Sequence, residues 1–485
     1  MRTSNVTAIL LIAAMLFAAC EKTVPEEEPD TKVDTVAAET EVETEDPIAA
    51  RTLQDSVPEM DFDGVDFRVL AQGDLIENFE MYVPELTGDA MNDAIYNRNR
   101  VIEDRFNIHI PEPALMNHNE AATRARAVVR SGEDTYDLML GQMEESGKVA
   151  IEGNFKNIYD MPYVDLIKPW YTKSLAQDGV GTINGRAYMI VSDLNYTYAG
   201  QTWAMVYDKD VAVDYGITDI YDLVINGKWT IDKLSELTKD IYIDVNANNQ
   251  RDEDDYYGIF YSANGCSLAA DVYAMGVRTT EIENQELKFV LNTEKAVSVF
   301  EKISQLQKST GTCDAPDATL LKIFPRGRSL FASAQLRHCY DDFREFENTY
   351  AIIPLPKWDE AQSEYYTVAD AGCNIIAVLI TAQNDELIGA MIEALSAESW
   401  RTVIPTYIHV ALGQKASRDP QSREMVDLVL NSRYMDFAYL YDGWDGWTFR
   451  LTDFLQDGTF ASTYAKIEKS VLNHYTQALE AFYTE

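Results

Sequence analysis

The chain has few positive charges. Of its 485 residues, 40 are Lys or Arg and 80 are Asp or Glu, so its formal net charge at pH 7 is −40. Binding to the phosphates of nucleic acid, or to bare anionic lipid, requires a basic surface. The composition therefore excludes a nucleic-acid-binding protein and argues against binding to bare anionic lipid.

Catalytic motifs are also missing. The sequence contains no G-x-S-x-G, no H-E-x-x-H and no G-x-x-x-x-G-K-[ST]. Its five histidines, at 109, 118, 338, 409 and 474, do not have the spacing of metal ligands. Among eighty acidic residues, spacing does not identify a glycosidase pair. A glycoside hydrolase, or a surface glycan-binding lipoprotein without a transporter, remains an alternative to the interpretation below.

Cysteine is scarce. Four cysteines lie in the body of the chain: Cys266, Cys313, Cys339 and Cys373. Outside the cell they could form up to two disulfide bonds, but their spacing indicates neither a pairing nor a metal site.

The chain begins with a segment typical of secretion. Arg2 precedes an apolar run from Val6 to Ala19, which is too short for a permanent membrane span. The end of this run, Phe17-Ala18-Ala19-Cys20, resembles a bacterial lipobox, with cleavage before Cys20 and lipid on its sulfur. An ordinary signal peptide cleaved nearby is the alternative. Residues 1–20 are thus predicted to be a lipoprotein signal peptide, and several acyl chains on Cys20 would anchor the protein to a membrane.

An acidic segment follows at 21–60. Its first thirty residues are rich in Glu, Thr, Pro and Asp and contain no aromatic residue. Such a segment cannot bury enough apolar surface to offset its ordering entropy, and its like charges keep it extended. We predict a disordered tether.

The body from residue 61 is long enough for two or three domains. Its first part alternates between strands and helices, with predicted strands at 65–71, 107–110 and 136–142. This order is typical of a parallel sheet covered by helices, in which ligands bind beyond the carboxyl ends of the strands. Residues 72–74 and 141–144 are therefore candidate ligand contacts. The last hundred residues look mostly helical.

Several stretches together carry a family resemblance. They are MNDAIYNRNRVIEDRFNI, YDLMLGQ, INGRAYMIVSDLNYTYAGQTWAMVYDKDVAVDYGI, WTIDKLSELTKD, FASAQLRHCYDDF with YAIIPLPKWD, and SRDPQSREMVDLVLNSRYMDFA. Their succession resembles extracellular solute-binding lipoproteins of ABC importers, in the branch similar to sugar-binding family 1, over nearly the whole chain after the tether.

The resemblance implies an α/β, two-lobed periplasmic-binding-protein-like fold of type II. It implies that residues 61–192 begin lobe 1, 193–312 begin lobe 2, 313–372 return to lobe 1, and 373–485 form the rest of lobe 2 with C-terminal helices. It further implies a monomer that is not an enzyme and that captures a solute, expected to be a carbohydrate, for the permease subunits of an ABC transporter. The protein would be lipid-anchored at the extracellular face of the bacterial membrane.

A sugar site needs aromatic faces and polar groups that bind hydroxyls. The candidate ligand-binding residues are Gln72, Asp74, Gln142, Asp193, Tyr196, Trp203, Gln335, Arg337, Trp444 and Trp447. Each has a structural alternative. Trp203 begins an apolar strand and suits a core, and Asp193 could cap a turn. Trp444 and Trp447 could form an aromatic turn, and Arg337 could pair with a nearby carboxylate.

The stretch DVNANNQRDEDD at 244–255 has the spacing of a calcium loop. Oxygen ligands at positions 1, 3, 5, 7, 9 and 12 correspond to Asp244, Asn246, Asn248, Gln250, Asp252 and Asp255. Asn249 stands at position 6, where the loop needs a left-handed backbone. We predict a structural calcium site that stiffens the edge of a lobe. A solvated acidic loop without metal is the alternative.

Overall fold

The computed structural model describes residues 51–73, 80–173, 181–262, 265–283, 286–343, 346–413, 420–441, 446–456 and 459–483. All of them belong to one compact unit. The predicted signal peptide, Cys20 and most of the predicted tether lie outside these residues.

The strands, in chain order, are β1 Val65–Asp66, β2 Val69–Gln72, β3 Ile108–His109, β4 Ala114–Met116, β5 Leu138–Gln142, β6 Trp203–Asp208, β7 Tyr242–Ile243, β8 Tyr256–Ser262, β9 Thr280–Glu283, β10 Glu286–Phe289, β11 Thr312–Ala315, β12 Ser329–Gln335, β13 Tyr350–Ile353 and β14 Asn374–Ala377.

The α-helices are α1 Ala90–Phe106, α2 His118–Ser131, α3 Met143–Ile151, α4 Tyr196–Gly200, α5 Lys209–Asp214, α6 Ile220–Ile225, α7 Ile231–Thr238, α8 Gly265–Ala274, α9 Glu294–Gln307, α10 Asp317–Ile323, α11 Leu336–Asp341, α12 Asp385–Glu398, α13 Ile404–Gly413, α14 Pro420–Asn431, α15 Phe437–Leu440, α16 Trp447–Gln456 and α17 Phe460–Tyr483. A π-helical turn at Ser399–Val403 joins α12 to α13.

Local sequence explains where the first helices begin and end. Asp89 accepts hydrogen bonds from the backbone N–H groups of Met91 and Asn92, and α1 ends at Asn107 with φ 48°. Asn117 and Glu120 form a capping box at the start of α2, and Gly132 ends it with φ 74°. Side-chain acceptors satisfy the free N–H groups of a first turn, and Gly or Asn adopts the left-handed backbone that ends a helix.

The first lobe is built on a four-stranded sheet in the order β14-β5-β2-β4. β2 pairs in parallel with β4 and β5, and β14 pairs antiparallel to β5. The predicted parallel arrangement is therefore confirmed. The predicted second strand at 107–110 was misplaced, because β3 pairs only with β1 and β4 takes its position in the main sheet.

The second lobe is built on a sheet in the order β11-β8-β12-β6-β13, with β7 paired to β8. β12 and β13 both pair antiparallel to β6. The prediction that 313–372 returns to lobe 1 was therefore wrong. It is β14, within the predicted lobe 2 segment 373–485, that returns to the first sheet. The sequence of an apolar strand does not specify which strand it pairs with, because that pairing depends on packing against residues far away in the sequence.

Residues 51–60, predicted to belong to the tether, pack against the first lobe. Asp55 forms an ion pair with Arg105 of α1 at 2.8 Å, and Val57 is buried. Arg51 donates to the carbonyl oxygen of Trp400 at 2.7 Å. The predicted boundary at residue 60 was therefore too late, and the folded body includes residue 51.

The chain passes between the two sheets along segments that lie side by side. The first crossing is residues 191–202 and the second is residues 369–374, which ends on the first residue of β14. The backbone N–H of Asp370 donates to the carbonyl of Gln201 at 2.9 Å, and Thr202 forms an isolated β-bridge with Ala369.

A third connection, residues 436–441, contacts both lobes. The carboxylate of Asp436 accepts from the backbone N–H groups of Thr279 and Thr280 in the second lobe. The hydroxyl of Tyr439 donates to the carbonyl of Ala369 at 2.7 Å. Leu440 and Tyr441 then lie against Gly147 of α3 in the first lobe.

No described helix combines the length and the hydropathy needed to cross a lipid bilayer.

We expect Gly147→Ala to destabilise the protein by about 1–3 kcal/mol, because overpacking a tight contact costs that much. An added Cβ would lie 2.6 Å from the carbonyl oxygen of Leu440 and 2.9 Å from Cα of Tyr441, and neither backbone atom can rotate away. Chemical denaturation measures the change. Gly73→Ala is the control, since its Cβ would meet the Leu115 side chain at 3.4 Å, an ordinary contact. Equal stabilities of the two variants would contradict the close packing of the third connection.

Candidate functional site between the lobes

Four predicted site residues meet at the second crossing. The amide nitrogen of Gln72 donates to Asn374 Oδ1 at 2.6 Å and to the carbonyl of Gly372 at 2.9 Å. Gln142 lies opposite Asn374 in the strand register. Gln335 donates to Asp370 Oδ2 at 3.0 Å and accepts from Arg337 Nε at 2.6 Å. Residues 370–374 therefore join the carboxyl ends of β2 and β5 to that of β12.

The crossings themselves supply polar groups that the sequence did not single out. They are Gln201, Asp370 and Asn374. Within the described residues, the side-chain oxygen of Gln201 is buried and has no hydrogen-bond partner, and the same holds for the indole nitrogen of Trp203. Buried polar groups are normally paired, so the unpaired side-chain oxygen of Gln201 on the first crossing is a candidate acceptor for a ligand, whereas the indole of Trp203 lies in the core. Neither DAGCN nor AGQT resembles a binding motif, and no local signal would have identified these residues.

The predicted aromatic residues have different surroundings. Trp203 is fully buried, as the structural alternative for it required. Tyr196 begins α4 on the first crossing, and its ring centroid lies 5.8 Å from that of Tyr407. Asp74 and Trp444 lie outside the described residues. Trp447 is the first residue of α16, and its side chain is outside the described part as well.

Two carboxylates lie near a partly buried thiol where the two lobes approach each other. Burial raises the pKa of the Cys266 thiol at the start of α8, and the negative charges of Asp370 and Glu144 act in the same direction. These two carboxylates, one on the second crossing and one on α3, therefore lie within electrostatic range of one thiol in the second lobe. The four body cysteines form no disulfide bond within the described residues.

Asp193 lies on the first crossing with its backbone N–H bonded to the carbonyl of Trp170 at 2.8 Å. Burial raises the pKa of Asp193 to about 7, while the positive charges of Arg51 and Arg433 act in the opposite direction. Its carboxylate thus lies within electrostatic range of Arg51 in the N-terminal segment and of Arg433.

The 244–255 loop brings its oxygen atoms together at the edge of the second sheet. Asp244 accepts from the backbone N–H groups of Asn248 and Asn249, and Asn248 Nδ2 donates to Asp252 Oδ2 at 2.7 Å. Asn249 has φ 60°, the left-handed backbone predicted for position 6. Asp255 is fully buried and accepts from Tyr242 and from the backbone of Val245.

The loop has enough ligand atoms for a cation only when amide and backbone oxygens are counted together with the carboxylate oxygens. Among the described residues, no three His, Cys, Asp or Glu side chains are grouped as metal ligands. The carboxylates of Asp244 and Asp252 with the amides of Asn246 and Asn248 form an oxygen-only set, which suits calcium better than a transition metal.

Asp193→Asn should change how stability depends on pH. An unfolded Asp titrates near pH 3.9, whereas folded Asp193 titrates at about pH 7, so folding takes up a proton between these values. The carboxylate therefore lowers the free energy of unfolding progressively as pH rises from about 4 to about 7. The stability of Asp193→Asn relative to the unmodified protein should rise over this interval in denaturation curves. Asp160→Asn, an exposed position, should show no such trend. A relative stability of Asp193→Asn that stays constant with pH would exclude the burial of this carboxylate.

No protein-family model matches this sequence, and no curated protein matches it. Solved structures do resemble it. UgpB from Mycobacterium tuberculosis, in complex with glycerophosphocholine, has a TM-score of 0.55 at 15% identity, covering 81% of this chain and 98% of that chain. An ABC substrate-binding protein from Listeria monocytogenes, in complex with cycloalternan, has a TM-score of 0.54 at 14% identity, covering 85% and 100%.

A maltose/maltodextrin-binding domain from Bdellovibrio bacteriovorus, bound to maltotriose, has a TM-score of 0.53 at 13% identity, covering 85% of this chain and 99% of that chain. At such identities the likeness establishes the fold. The chain therefore has the two-lobed α/β fold of these substrate-binding proteins, which confirms the fold predicted from the sequence.

Proposed function

We propose that this protein captures a solute between its two lobes and delivers it to the permease of an ABC transporter. The observation that carries the proposal is the meeting of strand ends from both sheets at two adjacent crossings. There the buried side-chain oxygen of Gln201 has no hydrogen-bond partner among the described residues. A solute bound at this position contacts both lobes and the segments about which they rotate.

The solute is a carbohydrate in this proposal. Amide groups and carboxylates, such as those of Gln335 and Asp370, match the donors and acceptors of sugar hydroxyls. The negative charges of Asp370 and Glu144 disfavour an anionic solute. Two of the structural neighbours are bound to cycloalternan and to maltotriose, whereas a third holds glycerophosphocholine. Glycans are the solutes of two of these three neighbours, and the amide and carboxylate groups at the crossings match their hydroxyls.

Binding acts by shifting a conformational equilibrium, and no bond in the solute is broken. A solute that contacts both lobes stabilises the closed arrangement more than the open one, and the permease distinguishes the two. The protein is therefore a receptor and not an enzyme. A glycoside hydrolase, one alternative, would release product from a bound glycan, whereas a receptor binds it unchanged. A glycan-binding lipoprotein without a transporter, the other alternative, would bind it without passing it to a permease.

We further propose that Cys20 carries the lipid that anchors a monomeric protein to the outer face of the bacterial cell membrane. The acidic segment after Cys20 then serves as a spacer between the membrane and the folded body, which includes residue 51.

A ligand screen tests the proposed solute class. The chain from Glu21 onward, freed of bound solute by unfolding and refolding, is mixed with mono- and oligosaccharides, polyols, amino acids, peptides and glycerophosphodiesters. A ligand that binds only the folded state raises the melting temperature. We expect a saccharide to give the largest shift, with one-to-one stoichiometry in calorimetry and no product. A response to peptides or phosphodiesters alone would discard the carbohydrate, and consumption of a glycan would discard the receptor.

Asp370→Asn should weaken binding of that saccharide about tenfold, because a hydrogen bond to a charged group contributes roughly 1.5–3 kcal/mol. Asp160→Asn, which replaces an exposed carboxylate of the first lobe, is the matched control and should leave affinity unchanged. Calorimetry measures both. Unchanged affinity in Asp370→Asn would place the ligand elsewhere.

We also propose that the 244–255 loop binds calcium as a structural ion. The support is the proximity of the side chains of Asn246 and Asn248 to the carboxylate of Asp252, to which their amide nitrogens donate, together with the carboxylate of Asp244 and the left-handed backbone of Asn249. Gln250 would contribute its backbone carbonyl, as position 7 does in such loops. Asp255 anchors the loop to β7 through Tyr242 and completes the predicted set.

Calcium should raise the melting temperature and EGTA should lower it. Asp252→Asn should remove this response, because it takes one negative charge from the site. Asp254→Asn is the control in the same loop, since Asp254 pairs with Arg326 at 2.7 Å and stands at a non-ligand position. An identical response to calcium in all three proteins, or no response in any, would show that the loop does not bind the ion.

A further inference from the structure

A buried carboxylate lies where the two crossings meet, outside the residues considered so far. Glu80 is fully buried and is the first described residue after the segment that follows β2. One carboxylate oxygen accepts hydrogen bonds from the backbone N–H of Thr197 at 2.9 Å and from the hydroxyl of the same residue. The other accepts from Asn374 Nδ2 at 2.8 Å and from Asn195 Nδ2 at 3.4 Å. Asn195 and Thr197 belong to the first crossing, and Asn374 ends the second.

The network extends to the site on one side and to α1 on the other. Asn374 uses its oxygen to accept from Gln72, so a single amide joins Glu80 to a candidate ligand contact. Arg98 of α1, also buried, donates to the carbonyl oxygen of Glu80 at 2.6 Å. Its guanidinium supplies a positive charge close to the buried carboxylate.

The groups that face the carboxylate are donors. An ionised Glu only accepts hydrogen bonds, so it satisfies donors from both crossings at once. In Glu80→Gln, the amide NH₂ group would face one of these donors. Two hydrogen-bond donors would then face each other with no acceptor between them. Burial raises the pKa of Glu80, and the hydrogen bonds from Thr197 and Asn374 act in the opposite direction.

We propose that Glu80 is a positioning residue of the hinge. Its carboxylate holds the two crossings in one relative arrangement, and through Asn374 it connects that arrangement to Gln72 at the site. Loss of the carboxylate changes the open–closed equilibrium of the protein before any ligand binds. The proposal deepens the proposed receptor function, and its test needs no ligand.

The test measures the distance between the lobes in the unliganded protein. Spin labels are attached to azido amino acids at Val101 of α1 and Leu321 of α10, which are exposed positions in the first and the second lobe. Pulsed electron resonance then gives the distance distribution. We expect Glu80→Gln to shift the mean by more than about 2 Å, the scale of domain rearrangements on binding, or to broaden the distribution visibly. Thr197→Val, which removes only one hydroxyl donor, should produce a smaller change in the same sense.

Glu393→Gln is the matched control. Glu393 is also a fully buried carboxylate and accepts from the hydroxyl of Tyr171 at 2.6 Å, but it lies on α12 within the first lobe. Its variant should lower the melting temperature without altering the interlobe distance. Equal interlobe distance distributions in Glu80→Gln and Glu393→Gln would show that Glu80 stabilises the fold without positioning the lobes, and would overturn the proposal.

If Glu80→Gln does not fold, the interlobe distance distribution of Thr197→Val tests the proposal instead. A distribution equal to that of the unmodified protein overturns it. The saccharide screen is independent of this outcome. If the protein binds no saccharide but Glu80→Gln changes the interlobe distance, the hinge proposal stands and the proposed solute class is wrong.

Discussion

The structure depends on the hydrogen bonding between two short chain segments that cross from one lobe to the other. The N–H of Asp370 bonds to the carbonyl of Gln201, and Thr202 bridges to Ala369. Because the crossings are paired with each other, a change in the backbone of one is transmitted to the other. The strand ends that carry Gln72 and Gln335 are attached to the same pair through side-chain hydrogen bonds. A few short hydrogen bonds thus connect the polar groups of the site to the segments that join the two lobes.

The large negative charge of the chain has little bearing on this linkage. Most acidic side chains are solvated at the surface, whereas the crossings contain a small number of buried charges with specific partners. Glu80 has donors from both crossings, and Asp193 lies near Arg51 and Arg433. Net composition excludes nucleic acid and argues against binding to bare anionic lipid, whereas the proposed solute class rests on the local polar groups at the crossings.

Part of the fold could be predicted from the sequence. Periodicity and turn residues gave the strands β2 and β5 with the helices α1 and α2, because these elements are specified by local spacing and capping. The strand ends at Gln72 and Gln142 followed from the rule for parallel sheets. Assignment of β12 and β13 to a lobe failed, since their partner β6 is far away in sequence and any apolar strand suits it locally. Gln201, Asp370 and Asn374 could not be recognised, because their importance comes from the crossings and not from their neighbours in sequence.

The order of the strands has a consequence for how the protein is made. The second sheet is closed by strands between Trp203 and Ile353, all within one stretch of chain. The first sheet needs β14, whose Asn374 pairs with Gln142 across that entire stretch. During synthesis, the sheet that begins first is therefore closed last, and the edge of β5 stays open until the whole second sheet has left the ribosome. Exposed strand edges promote association between chains, so this interval is when the nascent protein most needs protection by chaperones.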